Sequence, residues 1–165
     1  MAGEAKAGEI ILRPPAPGDL SWLQHRHMRT MAPAYGWGVG YEAHLAEIAA
    51  HFLKHVDDPD VRFWVAERDG EVLGCVGLTR ESAVRGRLRL LYVEPHARGL
   101  GLGRRLAEVC VETARAAGYA EVILWTVDVL TAARGVYAAL GFEMIAAEPS
   151  ELGPAMTDET WLLRF

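Results

Sequence analysis

The chain has 165 residues, 51% of them hydrophobic and 24% charged, with a formal net charge of −5. That length suits one domain with a real core, and an acidic balance without a basic stripe argues against a nucleic-acid surface. No apolar run approaches the roughly 20 residues that span a membrane. Cys75 and Cys110 have no metal-ligand neighbours, so buried reduced thiols, no metal and a cytoplasmic setting are expected.

Along the chain, Met1 to Gly8 lacks an apolar signal core and reads as a short disordered leader, leaving residues 9–165 as the domain. Glu9 to Arg13 reads as a first strand, closed by Pro14, Pro15 and Pro17. A helix begins after Gly18-Asp19 with Leu20, Leu23, His27 and Met31 at three- and four-residue spacing, and Pro33 and Gly36-Trp37-Gly38 break it. A second helix, about Tyr41 to Val56, places Leu45, Ile48, Ala49 and Phe52 on one face. A strand meander follows: Arg62 to Arg68, the two-residue turn Asp69-Gly70, Glu71 to Glu81, a turn near Val84-Arg85-Gly86, and Arg87 to Glu94. Helix Leu100 to Ala117 ends at Gly118. Strand Glu121 to Thr126, helix Thr131 to Leu140, strand Gly141 to Ala147, a loop over 149–157 and strand Glu159 to Phe165 complete the order. The order β-α-α-β-β-β-α-β-α-β-β suits an α+β fold rather than a doubly wound sheet.

Arg98-Gly99-Leu100-Gly101-Leu102-Gly103 sits at a strand-to-helix junction. Alternating glycines there uncover backbone N–H groups and remove side chains that would hold a ligand off, and the helix dipole adds positive charge at the same spot. Such a place binds phosphate. A dinucleotide fingerprint requires G-x-G-x-x-G, and a nucleotide P-loop requires a Lys after its last glycine; neither is present. A loop serving only as a turn would need one or two glycines, not this set followed by Arg104-Arg105.

Arg98-x-x-Gly101-x-Gly103 after Val93-Glu94-Pro95 resembles the pyrophosphate-binding motif of the GNAT superfamily of acetyl-CoA-dependent N-acetyltransferases. A second resemblance lies in Ala133-x-x-x-Tyr137-x-x-x-Gly141-Phe142, and the element order matches over nearly the whole chain. Narrower motifs, Pro17-Gly18-Asp19-Leu20, His25-x-His27, Tyr35-Gly36-Trp37 and Leu124-Trp125-Thr126, look like the acetyltransferase half of MarR–GNAT fusion proteins. With the first strand near residue 9, no DNA-binding half is expected.

The resemblance implies a mixed, mostly antiparallel twisted sheet with splayed central strands, the splay coming from a bulge in the strand before the glycine loop. It implies acetyl-CoA as co-substrate, its pyrophosphate on Arg98, Gly99, Leu100, Gly101, Leu102, Gly103 and Arg104, and its pantetheine amides along Leu91, Tyr92 and Val93. Ala133 would border the thioester and Tyr137 would protonate the departing thiolate, although on its own such a tyrosine reads first as core. A backbone N–H near Val93 would serve the thioester oxygen. The partner implied is a small-molecule or peptide amine attacking directly in a ternary complex, without nucleic acid or membrane, and a homodimer is allowed.

The base is open. Arg87 stands where several members carry a glutamate, and Leu130 where an asparagine often stands. Glu42, Glu81, Glu94, Asp128 or a water chain are the candidates, with Glu94 read first as a solvated or capping carboxylate and Asp128 equally a helix cap. The acceptor site is expected between the first two helices, at His27, Tyr35, Trp37 and Glu42, an aromatic wall with a carboxylate that is otherwise plain core and surface. His25-x-His27 points its imidazoles apart on a helix, which disfavours zinc. Arg87 and Arg89 share a strand face, and one of them is expected to pair with an acceptor carboxylate. A non-catalytic acyl-CoA sensor is the alternative function; a partner for a separate transcription factor rests on analogy with the fusion proteins alone.

Overall fold

The computed structural model describes residues 6–165. The elements are β1 (Ile11–Arg13), α1 (Asp19–Tyr35), α2 (Val39–Lys54), β2 (Arg62–Arg68), β3 (Glu71–Arg80), β4 (Arg85–Val93), α3 (Leu102–Ala116), β5 (Glu121–Val127), α4 (Thr131–Ala139), β6 (Glu143–Pro149) and β7 (Thr157–Arg164). A 3₁₀ turn over Pro95–Ala97 joins β4 to the glycine loop. One seven-stranded sheet runs β1-β2-β3-β4-β5-β7-β6. Every pairing is antiparallel except β4 with β5. This is the expected α+β architecture.

Strand alternation divides the hydrophobic residues between two faces. On one face Leu73, Val76, Val122 and Leu124 pack under α3 and α4, against Leu106, Cys110 and Tyr137. On the other, Phe63, Val65, Tyr92 and Val127 pack under α1 and α2, against Leu20, Leu23, Leu45 and Phe52. Gly77 is where α2 comes closest: a Cβ there would lie 2.2 Å from Phe52 Cζ. The Asp69-Gly70 turn has φ of 50° and 82°, the paired left-handed geometry of a type I′ hairpin.

Several boundaries depart from expectation. Of the expected leader, Met1 to Ala5 lie outside the described residues, whereas Lys6 to Gly8 form a turn. Glu9 N–H donates to Lys6 O at 3.0 Å, and Gly8 N–H donates to Asp69 Oδ1 at 3.0 Å. The first helix runs through Pro33 and stops at Gly36, whose φ of 72° ends it. Pro33 lies in the last turn, where the missing N–H costs one hydrogen bond and the apolar face keeps the helix seated. The β3–β4 turn comes earlier than expected: Glu81 and Ser82 N–H both donate to Arg85 O, at 2.9 and 3.1 Å, so Arg85 and Gly86 already belong to β4.

The feature that positions the site is a bulge in β4. Cys75 pairs with Tyr92 and Gly77 with Arg89, so Val76 faces both Leu90 and Leu91. Leu90 holds φ at 53°, a left-handed conformation uncommon for leucine. The Cys75 thiol donates to Leu90 O at 3.2 Å and ties the bulge to β3. The extra residue breaks the alternation: Leu88 and Leu91 pack on the α3 side, Leu90 on the α1–α2 side.

Candidate active site

The sheet opens just before the bulge. Parallel pairing of β4 with β5 is confined to Arg85–Arg87 against Glu121–Ile123, while β5 stays paired with β7 along its whole length. From Leu88 onward the β5-facing edge of β4 is unpaired, and a cleft open to solvent takes its place. The cleft passes between the strands. Leu91, Thr126, Ala133 and Tyr137 line it from the α3–α4 side; His27, Met31, His44, Ile48, Arg89 and Trp125 line it from the α1–α2 side.

The glycine loop lies at the end of this edge. Gly99 and Gly101 have φ of 78° and 77°, so the backbone itself requires glycine there. Gly103 differs: it is helical, and an added Cβ would make only ordinary contacts, 3.7 Å from Val93 Cγ2 and 4.0 Å from Val136 Cγ2. The first hydrogen bond entering α3 is Arg105 N–H to Gly101 O at 3.0 Å, so the amides of Leu102, Gly103 and Arg104 have no intrahelical acceptor. Leu100 is exposed. Arg98 donates through Nε to Val93 O at 3.1 Å, fastening the loop to β4. Arg104 pairs with Glu108 at 2.7 Å, and Arg105 donates to Ile10 O at 2.8 Å.

Tyr137 is buried between Phe142 and Trp161, with ring centroids 5.8 and 6.4 Å away. Burial pushes its phenol well above the usual range, so it stays protonated at neutral pH. Its helix is anchored from below: buried Glu159 of β7 accepts from Arg134 Nε at 3.0 Å and from Trp161 Nε1 at 2.9 Å. Thr126 is 3% exposed and its hydroxyl has no partner among the described residues, although it lines the cleft. An orphaned hydroxyl beside an unpaired strand edge suits a ligand with amide groups.

On the acceptor side the expected residues separate. His27 lines the cleft, stacked on Tyr92 at 5.1 Å with Tyr41 Oη 3.3 Å from its Nε2. Burial, reinforced by the Arg98 charge, lowers its pKa to about 4, so the ring is neutral. Trp37 does not line the cleft: it is buried against Tyr41 at 4.4 Å and donates Nε1 to Met156 Sδ at 3.3 Å. Tyr35 packs on Trp37, and Glu42 is exposed on the first turn of α2, so neither reaches the cleft. Arg89 does. The sequence reading missed Thr126, and it missed Trp125 and His44 as a pair, 6.3 Å apart at the mouth.

The carboxylates considered as bases are all engaged or distant. Glu94 is neither solvated nor a cap: it is 1% exposed and receives Arg26 Nε and Nη2 at 2.6 and 2.9 Å. Glu81 holds Arg87 through both oxygens, at 2.7 and 2.8 Å. Asp128 caps no helix; it accepts Thr157 N–H at 2.9 Å. Among the described residues, no group of three or more His, Cys, Asp or Glu side chains could hold a metal ion.

Comparison with known proteins agrees with this fold. The model of the Acetyltransferase (GNAT) family matches residues 22–142. The N-acetylaspartate synthetase of Homo sapiens is 29% identical over 154 residues, covering 93% of this chain and 50% of that protein. An IAA acetyltransferase of Azospirillum brasilense is 41% identical over 76 residues, covering 45% of this chain and 49% of that protein. The chain thus spans about half the length of these curated relatives. Among solved structures, an acetyltransferase from Salmonella typhimurium with its cofactor acetyl-CoA has a TM-score of 0.75 at 19% identity, covering 94% of each chain. A ribosomal-protein-alanine N-acetyltransferase from Brucella melitensis has a TM-score of 0.75 at 20% identity, covering 94% of this chain and 99% of that one.

Proposed function

Because the chain belongs to the acetyltransferase (GNAT) family, we propose that it transfers an acetyl group from acetyl-CoA to a primary amine of a small molecule, amino acid or peptide. The observation that carries this reading is the open β4 edge, which leads from the glycine loop to Tyr137. Leu91, Tyr92 and Val93 would pair with the pantetheine amides, with the Thr126 hydroxyl within the same cleft. The amides of the loop and of the first turn of α3 would hold the pyrophosphate, with Arg98 and Arg104 beside them. Ala133, small and one helical turn before Tyr137, leaves room for the thioester.

Acetyl-CoA supplies an activated acyl group: the amine nitrogen forms the C–N bond as the C–S bond breaks, giving the amide and coenzyme A. Tyr137 donates its phenolic proton to the departing sulfur and recovers one, through solvent, from the nitrogen that has become an amide. Among the described residues no free carboxylate lines the cleft, so the acceptor ammonium would lose its first proton to water. The narrower motifs support kinship with the acetyltransferase half of MarR–GNAT fusion proteins, a likeness of sequence that carries no DNA role here.

The test is thiol release from acetyl-CoA across a panel of amines, amino acids and peptides, with the acetylated product identified by mass. Turnover with at least one acceptor is expected. Coenzyme A binding without any acetylated product would favour an acyl-CoA sensor instead.

A further inference from the structure

Three arginines, Arg85, Arg87 and Arg89, stand at alternate positions of β4. Two are neutralised. Arg85 donates to Glu121 Oε1 at 2.6 Å, and Arg87 is held by both oxygens of Glu81. Arg89 has no carboxylate partner among the described residues, yet it is half-buried, and it lines the cleft on the α1–α2 side with Ile48, His44 and Trp125. Its neighbour across the sheet is Gly77, over which the Phe52 ring lies. No anion therefore approaches from β3. His51 of α2 is near enough to feel the Arg89 charge and brings no negative charge of its own.

A half-buried guanidinium without a counter-ion is costly. Burial, and then the Arg87 charge, work against its protonated form, and the Glu81 carboxylate, already held by Arg87, offsets them only in part. Arginine nevertheless stays charged at any physiological pH, so among the described residues the cleft carries one positive charge with no carboxylate bonded to it; Glu81, bonded to Arg87, acts on it only at a distance. A ligand carboxylate would remove that cost, and the planar fork of the guanidinium accepts a carboxylate through two hydrogen bonds.

We propose that Arg89 is the carboxylate-binding residue of the acceptor site, so that the acceptor is a small amino-carboxylate whose amine points through the sheet toward Tyr137. This rests on the acetyltransferase reading above. Arg87, engaged by Glu81, plays no such part. The pantetheine arm must share the same cleft, which keeps the acceptor small.

The experiment compares kcat/KM for an amino acid and for its primary amide, in the wild type and in Arg89→Gln and Arg89→Lys, with acetyl-CoA affinity measured by calorimetry. The wild type is expected to prefer the free acid at least tenfold. Arg89→Gln should erase that preference while leaving the amide within about threefold and acetyl-CoA affinity unchanged, and Arg89→Lys should restore part of it. Equal use of acid and amide by the wild type, or an equal loss on both in Arg89→Gln, would overturn the assignment and leave the acetyltransferase reading intact. Failure of every amine despite acetyl-CoA binding would instead overturn the acetyltransferase reading, and this assignment with it.

Discussion

Two buried residues flank the reacting centre and are expected to behave differently. Tyr137→Phe keeps the ring against Phe142 and Trp161 and removes only the proton. It should lower kcat by about 100-fold or more, with acetyl-CoA affinity within a factor of two or so by calorimetry, since the phosphate loop and the β4 edge are untouched. His27 bears on stability instead. Its pKa is about 4 in the folded chain against roughly 6.5 unfolded, so between these values the unfolded state binds the extra proton. The contribution is complete above about pH 6.5 and is lost as pH falls toward 4, by up to about 3 kcal/mol. Urea midpoints at pH 7.5 and pH 5 should therefore separate more for the wild type than for His27→Phe, which keeps an aromatic ring over Tyr92; equal separations would show that His27 does not carry the dependence.

At the level of elements, the loop glycines divide into two kinds. Gly99 and Gly101 are needed by the backbone, whereas Gly103 is in a helix with room for a methyl group. Gly103→Ala should then raise stability by about 0.5–1 kcal/mol through helix propensity, while weakening acetyl-CoA binding if the bare backbone is there for the ligand. A melting curve and a titration on the same sample check both, and unchanged affinity would remove Gly103 from the site. This donor half was legible in the sequence because its signals are local: glycine spacing, a strand before, an amphipathic helix after, and Ala133 one turn from Tyr137. The acceptor half was not, because tertiary packing decides it. Trp37 and Tyr35 lie in the aromatic-rich segment but turn into the core toward Met156, and Glu42 takes the outer face of α2. A bulge in β4 was implied by the resemblance, but a run of leucines left no mark of its place at Leu90–Leu91, and no local rule could tell that Glu81 would occupy Arg87 and leave Arg89 without a bonded partner among the described residues.

Across the whole molecule, the two cores share one sheet, and that sheet is broken between β4 and β5 where the ligand would bind. Acetyl-CoA seated there would join β4, α3 and α4, so it should stabilise the folded chain as a unit. At about 100 times its Kd the gain is about 2.7 kcal/mol, which for a chain of this size raises Tm by roughly 5–10 °C. A thermal scan with and without acetyl-CoA measures it, and no shift at saturation would argue against binding to the native fold.

The extra residue at Leu90–Leu91 has a consequence beyond geometry. Set in the open edge of β4, it would let the two proposed substrates approach from opposite faces and meet in the middle. Nothing on the α3–α4 face need change when the α1–α2 face takes a new acceptor, so the two faces are free to diverge at different rates. Altered specificity should accordingly be sought by redesigning α1, α2 and Arg89, with the glycine loop left as it is.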